Sequence, residues 1–181
     1  MTATELAAGC AEVLAAPRDR GTVELLVVRP EPGDRQVVAE VEVDPAVGLV
    51  GDCWLARGSR RTPDGSADPL MQVTLVNARF VDLVAGDRDR WPLAGDQVYV
   101  DLELGGANLP PGTHLALGTA VVEVTEAPHT GCAKFADRFG IDAARFVNSD
   151  LGRAHNLRGI NTRVVTGGVV RTGDVVAKVP G

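Results

Sequence analysis

Glycine cuts this chain into short lengths. The Gly-Asp pairs Gly51-Asp52, Gly86-Asp87, Gly95-Asp96 and Gly173-Asp174 interrupt runs rich in valine, leucine and threonine, and each marks a tight turn. Between the turns, strands are expected over 22–29, 37–43, 71–76, 97–104, 114–117, 120–126, 161–166 and 174–179. The first two read as a hairpin about the turn at 30–35. The run 120–126 puts Val122, Val124 and Glu126 on one face and Val121, Glu123 and Thr125 on the other. Many short strands with only three or four short helices read as a mainly β fold, a closed or nearly closed β-barrel, because closure leaves no strand edge unpaired.

Two of the helices announce their own starts. Thr2 and Glu5 have capping-box spacing and open a helix to about Ala16, with Leu6, Cys10, Val13 and Leu14 on one face, so Cys10 reads as a packing residue. Asn77 caps a second helix through Val84. The segment 58–69 holds turn residues without apolar periodicity and reads as a loop. A length of 181 residues suits one core, with 1–20 expected as a helical extension and 21–181 as the barrel domain.

Composition removes several function classes. Cys10, Cys53 and Cys132 lie far apart without C-x-x-C spacing, which argues against a zinc site or a disulfide framework. A net charge of −6 and only two Trp, one Tyr and four Phe argue against a nucleic-acid partner. No apolar run is long enough for a membrane span, and the N-terminus shows no secretory pattern, so the cytoplasm is the expected location.

The densest chemical signal is Pro128-His129-Thr130-Gly131-Cys132-Ala133-Lys134-Phe135. Pro128 stops the preceding strand, while Cys132, Phe135 and Phe139 have helical spacing ending at Gly140. Cys132 therefore falls at a helix N-terminus, where unpaired backbone N–H groups favour an anion and hence a thiolate. His129 is a candidate general base or hydrogen-bond partner, although spacing alone does not bring it to the thiol. Cys53, beside Trp54, reads as core, and Asp52 as a turn residue.

The segments Phe139-Gly140-Ile141-Asp142, Asn156-Leu157-Arg158-Gly159-Ile160-Asn161 and Gly167-Gly168-Val169 through Gly173-Asp174 resemble the MOSC family, named after the C-terminal domain of molybdenum-cofactor sulfurase. Gly48-Leu49-Val50-Gly51-Asp52 and Val73-Thr74-Leu75-Val76-Asn77 are similar to that family's early Gly-Asp motif and the strand after it. The resemblance spans about residues 22–179 and implies a β-barrel decorated with small helices.

It also implies a chemistry. Cys132 would ligate molybdenum held by a pyranopterin dithiolene, or carry sulfur as a persulfide, and both roles need a thiolate. A phosphate-bearing cofactor calls for fixed cations and polar groups, with candidates Arg57, Arg60, Arg61, Lys134, Arg153, Arg158, Arg163 and Asn161. Family enzymes would reduce N-hydroxylated compounds with electrons from a partner reductase; a sulfur relay would draw on a cysteine desulfurase; a plain binding barrel would keep Cys132 as a structural residue. Pyridoxal phosphate is not expected. The chain departs from the family in two places: Gly95-Asp96 is followed by Gln97-Val98-Tyr99-Val100, where molybdenum-binding members usually carry an arginine and an asparagine, and Gly51-Asp52-Cys53-Trp54 lacks the basic or histidine residue often found there. By that comparison the chain would be a trimmed member that keeps the thiol and loses part of the anion site.

Overall fold

Strand β1 (Arg20–Val28) pairs with three other strands and closes the architecture. The computed structural model describes residues 1–179. Its other strands are β2 (Gln36–Val38), β3 (Glu40–Asp44), β4 (Gly48–Leu49), β5 (Val73–Asn77), β6 (Val98–Asp101), β7 (His114–Leu117), β8 (Ala120–Val124), β9 (Ile160–Thr166), β10 (Gly168–Arg171) and β11 (Val175–Lys178). Strands β11, β7, β8, β9, β5, β6 and β1 pair in that order, and the contact of β1 with β11 turns the sheet into a closed seven-stranded barrel. All these pairings are antiparallel except that of β5 with β6.

The parallel pair requires a crossover. It is made by helix α3 (Ala78–Ala85), capped by the Asn77 side chain, and a 3₁₀ helix over Arg88–Ala94. These elements cover the outside of β5, β6 and the second half of β1, so those stretches are largely buried on both faces, including all five residues of β5. A register shift between Val23 and Leu25 lets β1 serve both sides: Val23, Leu26 and Val28 point into the barrel, while Leu25 and Val27 pack outward.

Two cores result. The inner one fills the barrel with residues such as Leu75, Val98, Leu115, Val122 and Ile160. Val41, Val43, Leu49 and Val170, from a small sheet of β10, β3 and β4, belong to the same core and cap it. The outer core sets Val76 and Tyr99 of the barrel against helix α1 (Ala3–Leu14), helix α3, helix α4 (Ala133–Phe139) and helix α5 (Ile141–Val147). Helix α1 starts at the expected Thr2 and Glu5 capping box and buries Leu6, Cys10 and Val13.

The single strand expected over 37–43 is two strands in different sheets. The chain bends at Ala39, so β2 pairs with β1 while β3 pairs with β10. Valines on either side of a one-residue bend give the same local pattern as an unbroken strand, and only their partners separate them. The helical content also exceeds the expectation, with α2 (Trp54–Arg57), α5, α6 (Asp150–Ala154) and a 3₁₀ turn at Pro69–Met71 added. Among the described residues no helix is long and apolar enough to cross a membrane.

Barrel closure leaves no room beside Gly21. A Cβ there would overlap the backbone carbonyl of Asp101 on β6. Gly21→Ala is therefore expected to force β1 off β6 and to lower stability by about 3 kcal/mol, read as a shifted urea midpoint at unchanged slope.

Candidate functional site

The Gly-Asp turns act as clamps on arginine. After Gly51, the fully buried Asp52 carboxylate accepts from Arg29 Nε at 2.8 Å and Nη2 at 2.9 Å, and also from the Arg29 and Trp54 backbone N–H groups. After Gly95, the fully buried Asp96 accepts from Arg158 Nη1 at 2.6 Å. Arg158 Nη2 donates to the Ala94 carbonyl at 2.9 Å, and Arg29 Nη1 to the Gly95 carbonyl at 3.2 Å. Asp52 is thus more than a turn residue. Buried arginines need such partners, and each bidentate or charge-assisted bond fixes the direction in which the guanidinium faces.

Both arginines line one cavity of about 240 Å³. Its wall also carries Arg35, Arg57, Cys53, Cys132, Lys134 and Arg138. The tight approach depends on Gly95, whose φ of 89° ends the 3₁₀ helix and whose missing side chain lets the Arg35 guanidinium come within 3.3 Å of where a Cβ would stand. That 3₁₀ helix is itself held from below: Tyr99, buried in β6, donates its hydroxyl to the Trp91 carbonyl at 2.9 Å and stacks on the Trp91 ring.

Charge in the cavity is lopsided. Six cations line it with one carboxylate, the exposed Glu31, while the buried side chains of Asp52 and Asp96 pair with Arg29 and Arg158 from behind the wall. Arg35, Arg57, Lys134 and Arg138 form no ion pair among the described residues. Burial, and then the neighbouring Arg138 and Arg29, push the Arg35 pKa down, which is the response of a cation lacking an anion. Arg35 Nε and Arg158 Nε are both buried without a hydrogen-bond partner. A chain of net charge −6 has gathered a positive pocket.

Cys132 sits at the edge of that pocket. It is exposed, whereas Cys10 and Cys53 are buried. Its backbone carbonyl accepts from the N–H groups of Phe135 and Ala136 and so opens α4, and its own side chain makes no capping bond. The residue before it is pinned: the Asn148 side chain accepts from the Gly131 N–H and donates to the Gly131 carbonyl, both at 3.0 Å. Phe135 and Phe139 turn inward from the other face of α4. Phe135 packs under Arg158, whose guanidinium carbon lies 5.0 Å from the ring centre.

Of the residues singled out in the sequence, Arg57, Cys132, Lys134 and Arg158 share this cavity. Lys134 thus has a pocket that no local pattern revealed. Arg60 is exposed on the loop, and Arg61 approaches Asp68 at 3.9 Å on the same loop. Arg163 pairs with Glu123 on the barrel surface. His129, Arg153 and Asn161 line a second cavity of about 380 Å³. No hydrogen bond joins His129 to Cys132 among the described residues; its Nδ1 instead faces Asp96 Oδ1 at 3.5 Å.

Sequence reasoning missed Arg29, Arg35 and Arg138. Arg138 could have been found, because Lys134 and Arg138 are four apart on one helix. Arg29 and Arg35 reach the cavity through the β1 turn, and nothing in their spacing signals it. With Arg138 they add three cations to the cavity wall.

Two outcomes follow from the buried charges. Asp52→Ala would leave Arg29 buried and unpaired, and is expected to cost about 4 kcal/mol in chemical denaturation. His129, with its side chain only 15% exposed and lying near Arg158 and Arg29, has its pKa pushed down to about 4, chiefly by burial and then by Arg158. A histidine depressed on folding supports the native state above its unfolded pKa of about 6.5 and loses that support as pH falls toward 4. Urea titrations between pH 7 and 4 should show wild type losing up to about 3 kcal/mol more than His129→Gln, which carries no titrating ring.

Comparison with known proteins agrees with this architecture. YuaD from Bacillus subtilis superposes with a TM-score of 0.59 at 20% identity over 87% of this chain and 94% of that one. YiiM from Escherichia coli gives 0.56 at 18% identity, covering 90% of this chain and 70% of that one. YiiM from Geobacillus stearothermophilus gives 0.54 at 16%, covering 91% and 75%. These likenesses concern the fold. No curated protein matches the sequence. The MOSC domain model matches residues 75–177, more than half of the chain and a span that includes Asp96, Cys132 and Arg158; the chain belongs to the MOSC domain family.

Proposed function

We propose that this protein binds a molybdenum cofactor in the cationic cavity, with the Cys132 sulfur as the protein's ligand to the metal. One observation carries the reading: an exposed thiol opens onto a pocket with four cations that have no carboxylate partner. The donor set fits the group. A thiolate suits a soft metal, and guanidiniums with unused N–H groups, Arg35 Nε and Arg158 Nε among them, suit a phosphate.

Bound there, the cofactor would supply two-electron chemistry at molybdenum, such as reduction of an N-hydroxylated compound with electrons from a partner reductase. The chain's own part is preorganisation. Asp52 and Asp96 hold Arg29 and Arg158 in fixed directions, so neither has to reorient on binding. Arg57 and Lys134 are exposed and reach the pocket from α2 and α4, where freer side chains, unpaired among the described residues, can adapt to a bound anion. Asn148 fixes Gly131 and thereby the backbone that presents the thiol.

A second reading is persulfide carriage, with sulfur delivered by a cysteine desulfurase. The exposure of Cys132 favours it, since an incoming sulfur must reach the thiol directly. A purely structural cysteine would be packed, as Cys10 is.

Protein made in a host that synthesises the cofactor separates these readings. Elemental analysis should find about one molybdenum per chain, falling at least tenfold in Cys132→Ser and in Arg158→Gln. Equal molybdenum in wild type and Cys132→Ser would remove the ligand role. Molybdenum-free protein that gains about 32 Da at Cys132 after incubation with a desulfurase would move the function to sulfur transfer.

A further inference from the structure

The second cavity differs in kind from the first. Leu109, Val124, Val147 and Ile160 give it largely apolar walls. Its only charged lining residues are Glu126 and Arg153, one of each sign and both exposed. Nothing there selects an ion. Its volume, about 380 Å³, lies in the range of small-molecule sites.

The polar end of this cavity is His129 together with Asn161. Asn161 is fully buried; its side-chain N–H donates to the Ala127 carbonyl at 3.0 Å, and its oxygen has no protein donor. His129 is held edge-on. Its Nδ1 and Asp96 Oδ1 are both buried, both without another partner, and 3.5 Å apart. That is too long for a formed hydrogen bond, yet a ring lone pair turned toward a carboxylate would be repelled, whereas an N–H turned toward it is attracted. Asp96 is itself anchored by Arg158, so the carboxylate stays charged and fixed. The backbone at Gly159, with φ of 105°, passes close to Nδ1 and lacks a side chain there. The ring therefore has one buried edge that prefers to carry the proton, and its remaining exposure opens on the second cavity.

We infer that this cavity is a binding site for an uncharged small molecule with a compact apolar body and one N–H or O–H donor, which His129 Nε2 accepts while Asp96 holds the proton on Nδ1. Burial keeps the ring neutral at pH 7, leaving the Nε2 lone pair available. His129 serves this second site rather than the thiol, and Asp96 is the element common to both cavities: one oxygen orients Arg158 toward the cationic pocket and the other orients His129 toward the apolar one. The site does not depend on whether the first cavity holds a cofactor.

A matched pair of probes tests it on the full chain as purified. Indole carries the donor on an apolar body; 1-methylindole has the same body without the donor. Calorimetry should show saturable indole binding at least about tenfold tighter than 1-methylindole, the size of one buried hydrogen bond. His129→Leu should abolish that difference. Nitrogen-15 imidazole spectra of wild type should show His129 as the Nδ1–H tautomer, with its Nε2 resonance moving on indole addition and unmoved by 1-methylindole. Equal affinities for the two probes in wild type, no saturable binding of either, or an Nε2–H tautomer in the free protein would each overturn the assignment. The wild-type comparison and the tautomer stand even if His129→Leu does not fold.

Discussion

Two buried arginine–aspartate pairs organise the end of this molecule that holds the cationic cavity. Arg29 with Asp52 and Arg158 with Asp96 each place a cation where water cannot solvate it, and each is stable only because the carboxylate behind it is also buried and correctly aimed. Both aspartates follow a glycine. The turn brings the carboxylate close to the backbone, and the pair then fixes the guanidinium toward a cavity shared with Cys132. Four further side chains, Arg35, Arg57, Lys134 and Arg138, add charge to that framework without a carboxylate partner among the described residues.

The barrel makes this arrangement possible. Arg29 is the residue after β1, Asp96 precedes β6, and Arg158 precedes β9, so closure of the sheet brings three distant stretches of chain to one place. The parallel pairing of β5 with β6 forces the crossover whose last residues, Ala94 and Gly95, lend their carbonyls to Arg158 and Arg29. Helices α4 and α5 then dock on the outer core through Phe135, Phe139, Ala143 and Val147 and carry the thiol to the rim. Asp96 stands at the junction, with one oxygen toward each cavity.

Much of the fold was legible because its signals are local. Alternation in 120–126, the Thr2 and Glu5 capping box, and Asn77 as a helix cap each depend on residues within one turn or strand, and each element formed where expected. The strand over 37–43 was not legible as two, because the bend at Ala39 is visible only through the different partners of β2 and β3. The site divides in the same way. Cys132, Lys134 and the start of α4 could be read from one heptad of sequence, and Arg158 from its similarity to a family segment. Arg29 and Arg35 could not, since their role depends on where the β1 turn lies in space. His129 and Asn161 are near the thiol in the chain or in the family pattern, yet line the other cavity.

The sequence by itself determined the class of fold, the positions of most turns and caps, the segment that holds the exposed thiol, and membership of the MOSC domain family. These follow from short-range periodicity, turn chemistry and motif order, which need no third dimension. Tertiary structure alone decided which cations face Cys132, which carboxylates neutralise the buried ones, and that two cavities of opposite character meet at Asp96. Those outcomes depend on barrel closure, because Coulomb attraction and hydrogen bonding act across a few ångströms of space and take no account of the 62 residues that separate Asp96 from Arg158 along the chain.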